Sequence, residues 1–270
     1  MKKRKSYGVL IVGAVLLIAS IIFSVYAYNT SYQESKLAED ANMKLVLQRP
    51  YSYGLTATFF AVLLTVKGIY NAFVGVRETS KVDIKRLAQA GLLAALCYIG
   101  FAFLKFDIPV GPEKTAFHLG NVFCVLAALL IGGYWGGLAG AVGMTIGDLT
   151  TTYVTSAPKT FLLKLCIGLI VGFVAHKLFK LSKDHDKKYT TIATVVSCAC
   201  GMLFNIVADP LVGYFYKMYL LGVPQDISSA LAKMGAITTS VNAVVAVIMA
   251  SVIYLALRPA MKKAGLFAEL

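Results

Sequence analysis

Two carboxylates, a lysine and two amides stand where the surrounding chain holds almost nothing but apolar residues. Asp148 follows GGLAGAVGMTIG, Lys164 interrupts FLLKLCIG, Asn205 and Asp209 punctuate LFNIVADPL, and Asn242 lies in SVNAVVAV. His118 and Asn121 open the run HLGNVFCVLAALL. Ionisable groups at membrane depth are costly and mark cavities, relays or substrate sites. Asp148 stands about five residues before the outer end of its apolar run, and Lys164 about six residues after Pro158; at a rise of ~1.5 Å per residue both lie about 8–9 Å below one surface. That places them level on adjacent antiparallel helices, within reach of each other. Asn205 and Asp209 are four apart and share a helical face. The chemistry on offer is hydrogen bonding and charge recognition of a small polar molecule. The structural alternative is a buried ion pair with interhelical amide bonds.

Elements of membrane length must carry these residues. The 270 residues are 58% apolar and only 14% charged, with a mean hydropathy of +0.73. A soluble domain holds about 45–50% apolar and about 25% charged residues, so a soluble enzyme, a disordered chain and a secreted disulfide scaffold are excluded. With a ruler of about 20 apolar residues per span, eight spans are expected: Tyr7–Tyr28, Tyr53–Val76, Leu87–Lys105, Phe117–Gly133, Trp135–Tyr153, Pro158–Phe179, Thr190–Tyr216 and Leu231–Leu257. Stretches bearing Gly and Pro, such as Asp107–Pro112 and Leu221–Gln225, separate them as loops. Asn29–Pro50 reads as a short, polar, external amphipathic cap.

The excess of 26 Lys and Arg over 13 Asp and Glu, a net charge of +13, follows the same topology. One set of alternate ends carries Lys2, Lys3, Arg4, Lys5, then Arg77, Lys81, Lys85, Arg86, then Lys177, Lys180, Lys183, Lys187, Lys188, and finally Arg258, Lys262, Lys263. The other ends carry half as many: Lys36, Lys44, Arg49, Lys105, Lys114, Lys159, Lys217 and Lys233. Cytoplasmic loops collect Lys and Arg, so both termini are expected in the cytoplasm and the polar cluster at the outer ends. The charge is therefore no sign of nucleic acid. MKKRK followed by apolar residues also suits a signal peptide, but Tyr7–Ser24 exceeds the usual h-region of about 7–15 residues, which favours an uncleaved anchor.

Several chemistries lack their residues. The cysteines (Cys97, Cys124, Cys166, Cys198, Cys200) sit in apolar runs without CxxC spacing and read as packing residues. There is no HExxH, EF-hand or GxSxG, and no GxxxxGK[ST] or strand-borne GxGxxG. No metal, cofactor or catalytic residue is expected, and a transporter of this sequence would take its energy from partner subunits or an ion gradient. The glycine pairs Gly133/Gly137, Gly136/Gly140, Gly143/Gly147 and Gly168/Gly172 are small-xxx-small motifs that let helix backbones approach.

From Lys85 onward the chain resembles the substrate-binding S component of an energy-coupling factor (ECF) vitamin transporter. The resemblance is carried by FHLGNVFCVLAALLIGGYWGGLAGAVGMTIGDLTTTY and APKTFLLKLCIGLIVGFVAHKLF. It is similar to the subfamily assigned riboflavin, pyridoxine-type or hydroxymethylpyrimidine substrates. The resemblance implies an all-α, polytopic fold with a six-helix core over 85–270. Residues 1–84 then form two additional transmembrane helices with an external loop. It also implies a bacterial cell-membrane protein that captures a vitamin or vitamin precursor from outside. Such a subunit works with a membrane T subunit and two ATPase subunits, and is not itself an enzyme. His118, Asn121, Asp148, Lys164, Asn205, Asp209 and Asn242 are the expected substrate contacts. The family's Ala-xxx-Ala docking motif matches Ala90 and Ala94, with Gly91 and Ala95 as a second small ridge facing the T subunit. Against this stand a secondary transporter coupled through Asp148 or Asp209, and a membrane enzyme acting on lipids.

Overall fold

The computed structural model describes residues 7–73, 84–110 and 113–266. Lys2, Lys3, Arg4, Lys5, Arg77, Lys81, the end of the second expected span at Val76, and Gly111 and Pro112 lie outside the described residues. The chain forms two compact units: one holds Met1–Val82 and Asp148–Pro158, the other Asp83–Gly147 and Lys159–Leu270.

In the first unit, α1 (Gly8–Ala27) runs on through a π-helical turn, Tyr28–Tyr32, to Ser35, and pairs with α2 (Ala41–Phe73). The expected cap between them is therefore mostly helix: from Asn29 to Arg49 there is neither Gly nor Pro to break one. Small residues bring the pair together. A methyl group at Gly13 would meet the Thr65 backbone at 2.7 Å, and one at Gly54 would meet Ser24 Oγ at 2.6 Å. Ser24 and Thr58 hydroxyls lie 3.2 Å apart across the seam. Where lipid offers no hydrophobic drive between helices, close backbone approach and such bonds hold them. Outward, α1 is a sheath of exposed Ile, Val and Leu, as a lipid-facing helix must be.

The second unit begins with α3 (Ile84–Ala102), followed by a hairpin, β1 (Lys105–Val110) and β2 (Glu113–His118), and then α4 (Gly120–Ile131). The hairpin replaces the loop expected at Asp107–Pro112, and α4 starts three residues later than the expected span. Its alternation of Phe106, Ile108 and Val110 with Lys105, Asp107 and Pro109 is a strand pattern with period two. α4 is buried on every side, which fits a helix that is apolar all round. Gly132, at φ 88°, ends it in a conformation that other residues rarely adopt, and α5 (Gly133–Thr150) starts at once. α6 (Ala157–Gly172), α7 (Lys187–Phe215, capped by Asp186 accepting the Tyr189 amide at 3.3 Å) and α8 (Gln225–Lys263) complete the chain.

Among the described residues, six of these eight helices are long and apolar enough to cross a bilayer, with α1, α6 and α7 taken together with the helical turns that continue them. The exceptions are α4, at 12 residues, and α5, whose glycines dilute its apolarity. Those glycines do the expected packing on three sides. Gly136 and Gly140 meet Ala127, Ala128 and Cys124 of α4; Gly143 and Gly147 meet Ala94, Cys97 and Phe101 of α3; Gly133 and Gly137 lie against Gly168 and Gly172 of α6. The fold is that of an all-α polytopic membrane protein with one small hairpin.

Candidate functional site

In the second unit a group of buried polar side chains lies along α6, α7, α8 and the hairpin. α6 and α7 run antiparallel, and the register sets two contacts one turn apart. Lys159 Nζ bonds Asp209 Oδ1 at 2.9 Å, and Lys164 Nζ lies 3.4 Å from Asn205 Oδ1. The i, i+4 spacing of Asn205 and Asp209 thus meets both lysines along one helix. Thr239 of α8 donates to Asp209 Oδ2 at 3.1 Å, so three helices converge on one carboxylate. Pro210 follows directly; it has no N–H to give the Ile206 carbonyl, so α7 lacks one rung beside this site.

The hairpin supplies the next set of groups. Side chains two apart along a strand share a face, and Lys105, Asp107 and, across the ladder, His118 share one. Lys105 and Asp107 pair at 3.1 Å on this protected side while Phe106 is left exposed. Asn242 straps β2 to α8: its Oδ1 accepts the His118 amide and its Nδ2 donates to the Ala116 carbonyl, both at 3.0 Å. The Thr115 and Thr238 hydroxyls, 2.8 Å apart, add a second tie. Asn242 is thus largely engaged in holding the hairpin. The His118 ring stands edge-to-face on Phe101 at 5.0 Å. Burial holds its pKa down at about 3, the positive charge of Lys164 acting in the same direction and Asp209 against it. The imidazole is therefore neutral, and its Nδ1 has no partner among the described residues. The same holds for Oδ1 of Asn121, a residue only 1% exposed at the start of α4. An orphaned buried polar atom costs about 1–3 kcal/mol, which a bound molecule supplying the missing hydrogen bond would recover.

The described geometry brings Lys164, Asn205, Asp209, Asn242 and His118 into one electrostatic and hydrogen-bonded neighbourhood, and Asn121 lies one turn beyond His118. Asp148 is buried, at 2% exposed, and falls in the first unit; Lys164 has Asn205 among its contacts. Lys159, Thr239, Lys105 and Asp107 were not singled out from sequence. Thr239 lies three residues before Asn242, and Lys159 sits one helix away at the level of Asp209; neither relation is visible before the helices are registered. The strand alternation was the signal available for Lys105 and Asp107. On α3, Ala90 is buried and the Ala94 carbonyl faces Gly143, whereas Gly91 and Ala95 are exposed, with open space around Gly91. This arrangement can hold a small molecule by donors, acceptors and lysine ammonium groups.

A family model for the S component of ECF-type riboflavin transporters matches residues 81–259, from just before α3 to near the end of α8. No curated protein and no solved structure matches the chain. The matched segment covers the hairpin, the Lys159–Asp209 and Lys164–Asn205 contacts and the Asn242 strap, and it takes in well over half of the 270 residues. The chain accordingly belongs to the ECF-type riboflavin transporter S component family and is a membrane transport protein of that kind.

Proposed function

We propose that this protein captures a small, water-soluble vitamin or vitamin precursor from outside the cell. It would hand the substrate inward as part of an ATP-driven importer with a membrane T subunit and two ATPase subunits. The observation that carries the reading is the buried polar neighbourhood within the matched segment: Lys164 and Asn205 in contact, and His118 and Asn121 with unsatisfied buried atoms. The bias of Lys and Arg toward the opposite helix ends supports an outward-facing site and cytoplasmic termini. Riboflavin, named in the family description, is the first ligand to test; pyridoxine and hydroxymethylpyrimidine are smaller heterocycles that the same donors and acceptors would suit. Asp148, expected from the sequence as a further contact, is buried in the first unit. Exposed Gly91 and Ala95 on α3 are the proposed seat of the T subunit, with Ala90 and Ala94 behind them.

The test is direct. Purified protein is titrated with riboflavin, pyridoxine and hydroxymethylpyrimidine, followed by thermal shift and, for riboflavin, by flavin fluorescence. Saturable binding to one of them, with uptake into cells only when T and ATPase subunits are co-expressed, is the expected result. Uptake by this chain alone, driven by a proton or sodium gradient, would overturn the reading in favour of a secondary transporter.

A further inference from the structure

Within the second unit, α5 carries a buried hydroxyl that folding leaves unused. Thr145 is only 4% exposed, and its Oγ1 has no hydrogen-bond partner among the described residues. A helical Ser or Thr finds a ready acceptor in the carbonyl one turn back. Thr56, Thr194 and Ser197 take it, at 2.8, 2.7 and 2.6 Å, whereas Thr145 leaves the Ala141 carbonyl alone. Helix register shows which way it faces. α4 and α5 run antiparallel, with Gly136 on Ala128, Gly140 on Cys124 and Met144 on Gly120. Each residue turns a helix by about 100°, and in an antiparallel pair one step on from the facing residues leads to the same side of both helices. Gly137, one step on from Gly136, lies against Leu165 and Gly168 of α6. Thr145, one step on from Met144, and Asn121, one step on from Gly120, therefore turn to the groove that α6 lines. Asn121 brings a second unpartnered atom there, its Oδ1, at 1% exposed. Lys164 lies on the stretch of α6 that crosses this groove: Cys124 Sγ, one turn along α4 from Asn121, meets the Lys164 carbonyl at 3.7 Å.

We propose that Thr145 is a further substrate contact: its hydroxyl donates to an acceptor on the ligand, while the Asn121 oxygen beside it accepts from a donor on the same ligand. The class that fits is a polar heterocycle carrying an acceptor next to an N–H or O–H group, rather than an apolar molecule or a simple anion. This rests on the substrate-binding reading above and adds to it a residue of α5 and a hydrogen-bonding pattern. Two buried atoms without partners burden the empty protein, and a ligand that satisfies both removes that burden on binding. A residue of this kind weakens folding and strengthens binding, which gives it a signature that a packing residue lacks.

Thr145→Val removes the hydroxyl and keeps the shape, whereas Thr145→Ser keeps the hydroxyl. Each full-length protein in detergent is titrated with riboflavin, pyridoxine and hydroxymethylpyrimidine, and its ligand-free thermal midpoint is measured. For a ligand that the parent binds, Thr145→Val should weaken affinity about three- to tenfold, the weight of one net hydrogen bond. Thr145→Ser should weaken it by less than about twofold, since the donor is retained. The ligand-free midpoint of Thr145→Val should equal or exceed that of the parent, because an unsatisfied buried hydroxyl has been removed. Unchanged affinity in Thr145→Val overturns the inference. A lower ligand-free midpoint in Thr145→Val also overturns it, because the hydroxyl would then serve folding. So does a loss in Thr145→Ser as large as that in Thr145→Val, which would assign the effect to shape. If the parent binds none of the three, the substrate reading itself fails for them and this inference falls with it; binding by the parent that Thr145→Val leaves unaltered defeats this inference alone.

Discussion

At the residue scale, a few side chains divide the labour of the site. Lys159, Asp209 and Thr239 tie three helices; their ion pair is partly exposed, so its worth lies between the about 0–1 kcal/mol of a surface pair and the about 3–5 kcal/mol lost when a buried pair is broken. Lys164, only 5% exposed and 3.4 Å from the Asn205 amide oxygen, is a proposed ligand contact. Lys164→Met should reduce vitamin affinity by about 30- to 150-fold, the weight of a charge-assisted bond of roughly 2–3 kcal/mol. The protein should still insert and elute as a single species; aggregation instead would assign Lys164 a structural role. His118 supplies a pH dependence of known sign. Its folded pKa of about 3 lies below the ordinary 6.5. As pH falls through 6.5 the unfolded chain therefore takes up a proton that the folded chain refuses. Stability is full above that value and declines progressively toward pH 3. Thermal midpoints in detergent at pH 7.5 and 5 should show this decline, and His118→Gln should reduce it; an unaltered slope would mean that other groups carry it.

At the element scale, glycine spacing decides which helices can touch. α5 presents small residues to α3, α4 and α6 at once, and a side chain at Gly168 would run into the Gly137 backbone, which cannot move aside as a flexible side chain would. Gly168→Val should cost several kcal/mol by overpacking and backbone displacement, on the order of 3 or more, and be seen as a fall in thermal midpoint or loss of monodisperse protein. Gly91 offers the contrast: a side chain there meets nothing within 4 Å. Gly91→Leu should leave folding and vitamin binding intact. If α3 docks on the T subunit through its exposed ridge, the same change should cut uptake by the assembled transporter. Normal uptake would place the docking surface elsewhere.

At the scale of the whole molecule, the prediction concerns topology. Lys36 and Lys187 are both exposed and are expected on opposite sides of the membrane. A membrane-impermeant maleimide added to intact cells should label Lys36→Cys, and should label Lys187→Cys only after permeabilisation; the reverse pattern would turn the protein over and place the candidate site inside.

Much of this molecule is legible without coordinates. Apolar runs of membrane length, interrupted by Gly and Pro, specify the helices because the bilayer tolerates no unsatisfied backbone. Small-xxx-small spacing marked the faces of α5 and α6 that meet, since only residues without bulk allow that approach. The helical rise sets the expected depth of Lys164. What periodicity cannot carry is registration between helices. Only the packing of α6 against α7 brings Lys164 to Asn205 and Lys159 to Asp209. Only the fold of the hairpin turns Asn242 into a strap and sets Lys105, Asp107 and His118 on one face. Spans are local, dictated by the solvent around each segment, whereas a site is made by contacts between residues far apart in the chain, and those exist only once the helices have packed.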